Sequence, residues 1–132
     1  ANVREKMSLC YFCQSIYSET KGTMFVVSAV EFDNIDKAKD EIIHQLSLIA
    51  NGEFTDDELA NAKLYLANAY GSSEDRISSI DLWYFRCNQR NEILTPQESA
   101  EKLCEVTREQ VIQLAAQMKL DTVFVLRNIG EQ

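Results

Sequence analysis

A chain of 132 residues with a formal charge of −8, 45% hydrophobic and 26% charged residues has the make-up of one ordinary globular domain. The acidic balance excludes nucleic-acid binding, which needs clustered Lys and Arg, and works against acidic substrates. No apolar run approaches the roughly 18 residues of a membrane span and no signal-peptide layout is present, so the expectation is a cytoplasmic protein with no membrane partner.

In chain order, Arg4, Glu5 and Lys6 read as a short helical turn. From Leu9 apolar and polar residues alternate, which predicts a half-buried strand from Leu9 to Ser18. Glu19 to Gly22 is a turn, and Thr23 to Glu31 is a second strand, apolar on both faces and therefore expected to be central. Four turn residues suit an antiparallel hairpin. Arg4 and Tyr11 straddle the helix-to-strand junction. That spacing either brings both to one end of a sheet, facing a ligand, or leaves a surface ion pair and a sheet tyrosine.

Five helices are expected next. The first follows Asn34 as N-cap, with Ile35, Ala38, Ile42, Leu46 and Ile49 at helical spacing, widened by Ile43 and Ala50. Asn51-Gly52 ends it. The second opens on a Thr55/Glu58 capping box with Phe54 and Leu59 as a hydrophobic staple, and runs to Tyr70 before Gly71-Ser72-Ser73 interrupts it. Asp56 and Asp57 are accounted for as helix-starting acids rather than catalytic carboxylates. The third, about Glu74 to Asn88, carries an apolar cluster wider than one core stripe. There Trp83 and Phe85 are either core aromatics or contacts to something outside the chain. Thr95-Pro96-Gln97-Glu98 and Thr107 with Gln110 are further capping boxes, for helices ending near Cys104 and Met118. Thr122 to Arg127 reads as a closing strand that returns beside the hairpin, and Asn128 to Gln132 as a frayed tail. The fold class expected is α+β, an antiparallel sheet with helices packed on one face.

The chemical inventory is short. Cys10 and Cys13 form a C-x-x-C, but residues three apart on a strand point to opposite faces, which argues against a zinc knuckle or redox pair. Cys10, Cys13, Cys87 and Cys104 are read as buried free thiols. The single histidine, His44, forms an E-x-x-H with Glu41 but lies off the apolar stripe, so it is read as a partly exposed side chain rather than a ligand. Nothing suggests a Ser-His-Asp set, a Walker loop or a metal site.

The segment Arg4-Glu5-Lys6-Met7-Ser8-Leu9-Cys10-Tyr11 resembles the Arg-Glu-Lys-x-Gly-Leu-x-Tyr signature of the insulinase/pitrilysin family of zinc peptidases, which includes the mitochondrial processing peptidases. Lys21-Gly22, Asn34 to Ala38, Asn51 to Lys63 and Glu105 to Val111 are similar to further segments of that family, in the same order. The resemblance implies the second, non-zinc half of such a protein, since its zinc half uses H-x-x-E-H and one histidine cannot supply it. Residues 1–132 are accordingly expected to be a C-terminal domain, truncated at its N-terminus because the chain starts without Met on functional-looking sequence. By the same resemblance Tyr11 would hydrogen-bond the scissile carbonyl or its adduct, and Arg4 would hold the substrate backbone. The zinc would lie in another domain or subunit. Ser8 replaces the family's usual Gly, as expected in bacterial zinc-free partner subunits. The partners implied are the N-terminal half or a partner subunit, together with a peptide. A catalytically inactive scaffold or peptide-binding subunit is the alternative function. An unrelated α+β interaction domain is the third, to be distinguished by a last strand that fails to join the hairpin. An open sheet edge would let the isolated chain pair with a second copy.

Overall fold

A computed structural model describes residues 10–18, 21–89 and 92–126. The chain is α+β, with two strands followed by five helices. Strands β1 (Phe12–Ser18) and β2 (Thr23–Ala29) form an antiparallel hairpin, with Phe12 opposite Ala29 and Ser18 opposite Thr23. The turn between them uses Gly22 at φ 60°, a left-handed conformation that a side chain resists. The register sorts the side chains onto two faces. Cys13, Ser15 and Tyr17 share one with Ser28, Val26 and Met24, and all three of these β2 residues are half-buried. Phe12, Ile16, Phe25 and Val27 share the other, and all four are exposed.

A 3-10 turn (Phe32–Asn34) leads into α1 (Ile35–Ala50). Asn34 stands at the N-cap as expected, but its side chain makes no cap hydrogen bond. The stripe expected from periodicity is inward: Ala38 is buried, while Ile35, Ile42, Leu46 and Ile49 are half-buried. Helix α2 (Asp56–Gly71) begins with the Thr55/Glu58 box, both reciprocal bonds present at 3.1 and 2.9 Å. A second 3-10 stretch (Ser72–Asp75) separates it from α3 (Ile77–Gln89), so α3 starts three residues later than its sequence suggests. The boxes at Thr95 and Thr107 open α4 (Pro96–Glu105) and α5 (Arg108–Gln117). Helix α2 packs on α4, and α1 on α5.

Trp83 is a core aromatic. It meets Tyr70 edge-on at 5.1 Å and donates from Nε1 to the Leu94 carbonyl at 2.8 Å. The buried Cys87 thiol and Pro96 lie beside the same segment. Phe85 instead faces solvent.

Two expectations are corrected. Residues 121–126 form no strand, and the sheet among the described residues has two strands. An apolar run becomes a strand only when an edge accepts its backbone hydrogen bonds, and among the described residues none does; Phe124 and Leu126 are more than 80% exposed. For the same reason β2 is not central: among the described residues it pairs with β1 alone.

Candidate functional site

The chain reverses its local geometry just before β1. Tyr11 sits at a bend, and its backbone N–H donates to the Ala29 carbonyl at 2.9 Å, although Ala29 is already opposite Phe12. Two consecutive residues therefore face one residue of β2, the count that defines a β-bulge. Bulges re-aim side chains at strand ends, and the Tyr11 side chain is 70% exposed.

Its hydroxyl donates to Glu31 Oε1 at 2.8 Å. The hydrogen bond to Glu31, and then the charge of that carboxylate, raise the Tyr11 pKa above the ordinary phenol value. The group is thus a neutral donor whose single proton is already committed to a carboxylate. To serve a substrate carbonyl it would exchange Glu31 for that acceptor. Glu31 was not singled out from sequence, although a hairpin places the residues flanking its two outer ends side by side. Arg4 and Ser8 lie outside the described residues.

Beside Tyr11 the structure alters the reading of the cysteines. Cys10 precedes the ladder, and the bulge restores the parity that a regular strand would break, so Cys10 and Cys13 fall on one side. Burial raises the Cys13 pKa first, and the neighbouring Cys10 raises it further through charge and a side-chain hydrogen bond. The expectation that they point to opposite faces is therefore overturned. Nor are all four thiols buried: Cys10 and Cys13 are half-buried, Cys87 is buried and Cys104 is exposed.

The described residues do not fit a zinc ion. His44 is exposed, and Glu41 accepts a hydrogen bond from Gln45 at 2.7 Å. Among the described residues no group of three or more His, Cys, Asp or Glu converges. No helix among them is long and apolar enough to cross a membrane.

The densest polar junction is elsewhere and was missed from sequence. Arg108, at the start of α5, donates to the Gly52 carbonyl at 2.7 Å, to the Phe54 carbonyl, and to Asp56 at 2.8 Å. Its guanidinium lies 4.2 Å from the centre of the Phe54 ring. This clamp joins the α1–α2 turn to α5 and is structural.

Residues 1–66 match the family model described as the Peptidase M16 inactive domain. Over 126 residues the chain is 26% identical to the "Probable inactive metalloprotease YmfF" of Bacillus subtilis, covering 96% of this chain and 30% of that protein. The fold is similar to the crystal structure of a conserved protein from Enterococcus faecalis, with a TM-score of 0.73 and 24% identity over 86% of this chain and 27% of that one. The chain thus spans less than a third of the length of these relatives. With half of its residues matched by the family model, and the signature segments in the same order, the chain belongs to the Peptidase M16 family through its inactive domain.

Proposed function

We propose that this chain is the non-zinc domain of a larger peptidase-like protein, and that it contacts peptide through Tyr11 at the bulged end of its hairpin. Arg4 acts with it on the substrate backbone, by family resemblance. The zinc ligands belong to another domain or subunit. The observation that carries this reading is the position of the phenol, exposed just before β1 and held protonated by Glu31. Once turned from Glu31 to a carbonyl oxygen gaining negative charge, a neutral donor of this kind contributes about 10²–10³ in rate.

The apolar hairpin face and residues 121–126 support a place within a larger body, since exposed apolar patches of this kind mark interaction surfaces. The relatives named above are more than three times as long as the segment this chain matches. By family resemblance we take the partner to be the N-terminal half or a partner subunit.

The test is peptide hydrolysis by the full-length assembly carrying Tyr11→Phe. Turnover about a hundredfold lower, with little change in thermal stability, supports the role; unchanged turnover removes it. The second reading, a catalytically inactive scaffold, draws on the printed description of the Bacillus subtilis relative as probably inactive. It is favoured if the full-length assembly hydrolyses no peptide at all yet still binds one.

A further inference from the structure

In a regular strand, residues three apart are separated by roughly 10 Å and face opposite ways, so a C-x-x-C there is chemically inert as a pair. The bulge at Tyr11 and Phe12 changes that. It inserts one residue into the count, so Cys10 and Cys13 are related like next-but-one neighbours on one face. Burial first, and then Cys10, which lies near enough to act on it, raise the pKa of the Cys13 thiol. Across the hairpin Cys13 faces Ser28, whose hydroxyl donates to the Phe12 carbonyl at 2.9 Å and also acts on the Cys13 thiol, lowering its pKa against the larger effect of burial. Both thiols are half-buried, within reach of a small reagent; Cys87 is fully buried, and Cys104 is exposed on α4 without a second cysteine near it in sequence.

We propose that Cys10 and Cys13 are a dithiol site that closes to an intrachain disulfide by exchange with a low-molecular-weight disulfide. One protein thiol loses its proton and attacks a sulfur of the reagent. The reagent's S–S bond breaks and its first half leaves as a thiol, carrying a proton. The second protein thiol then deprotonates and attacks the sulfur of the mixed disulfide, releasing the other half as a second thiol. Two protein thiols are oxidised and one disulfide is reduced, with no other electron acceptor. The ring so formed encloses Tyr11 and Phe12, so oxidation would hold the bulge that carries the phenol. That consequence rests on the Tyr11 reading; the thiol chemistry does not.

The probe is oxidised glutathione applied to the full chain, followed by alkylation, peptide mapping and intact mass. The expected product has one peptide in which Cys10 is joined to Cys13 with the loss of two hydrogens, and any glutathione on the exposed Cys104 maps to a separate peptide. Cys10→Ser and Cys13→Ser should each stop at a single glutathione adduct on the remaining partner. Because burial holds Cys13 protonated, closure should quicken as pH rises past the ordinary thiol range. Glutathione adducts that accumulate on both cysteines of the wild-type chain without closing would overturn the proposal, as would exclusive reaction at Cys104. Neither reading depends on a variant that must fold. Peptide hydrolysis plays no part in either, so loss of the Tyr11 role and loss of the dithiol remain separable.

Discussion

The phenol of Tyr11 and the carboxylate of Glu31, twenty residues apart in sequence, are joined by a 2.8 Å hydrogen bond across the open end of the hairpin. Glu31→Gln removes the charge and keeps an acceptor. The Tyr11 titration should then fall back toward the ordinary phenol value of about 10. The measurement is tyrosinate absorbance against pH, taken as the difference between each protein and its Tyr11→Phe counterpart. The sign for stability follows from the raised folded pKa: the contribution is present below about pH 10 and is lost as pH rises through the folded value. A Tyr11 titration identical in both proteins would mean that the contact does not hold in solution.

Arg108 is expected to matter more than its ion pair suggests. The Asp56 side chain is 93% exposed, so that pair alone contributes little. The carbonyls of Gly52 and Phe54 and the Phe54 ring are the substantial partners. Arg108→Ala should cost about 1–3 kcal/mol in urea unfolding, and Asp56→Asn under about 1 kcal/mol. Equal losses for the two would show that the surface ion pair dominates instead.

Gly52 has φ 74°, and a Cβ there would stand 2.9 Å from Ile112 Cδ1. Gly22 has φ 60° with nothing within 4 Å of the same position. Both alanine variants lose the left-handed freedom of glycine, about 1 kcal/mol. Gly52→Ala should lose about 1 kcal/mol more because it must displace the Ile112 side chain from the α1–α5 contact. Thermal midpoints of the two variants compare them directly.

Glu98 closes the Thr95 box, and the Thr95 backbone N–H, followed by its hydroxyl, lowers the Glu98 pKa. A lowered folded pKa means stability that is present above the unfolded value of about 4.3 and lost as pH falls through the folded one. Glu98→Gln should therefore be less stable than the parent at neutral pH, with the gap closing in acid. Acid-unfolding curves that stay a constant distance apart at all pH values would contradict this.

The hairpin leaves both backbone edges unpaired among the described residues, and residues 121–126 expose an apolar run nearby in composition to a strand. Light scattering on the isolated chain should show dimers at high concentration, and Phe124→Lys should reduce them. A monomer at every concentration would count against strand pairing between copies.

The last strand is the instructive failure. Its absence from the sheet was expected to signal an unrelated fold, yet the chain belongs to the family. Pairing needs a backbone edge that the run itself does not contain, so the apolar run within Thr122 to Arg127 says that a strand is possible and not where its partner lies. The same logic misplaced β2 as central. The C-x-x-C was discounted on strand parity, and only the register at Ala29 exposes the bulge that restores it.

Sequence alone determined the capping boxes at Thr55, Thr95 and Thr107, the inward stripe of α1 and the β1–β2 turn, because each depends on residues no more than a few positions apart. The family itself was also legible there, in the order of its signature segments. Tertiary structure decided the acceptor of the Tyr11 proton, the side on which Cys10 meets Cys13, and the grip of Arg108 on a turn more than fifty residues away. Those outcomes depend on how separate elements are brought together, and hydrogen bonds between distant residues leave no periodic trace in either of the segments they join.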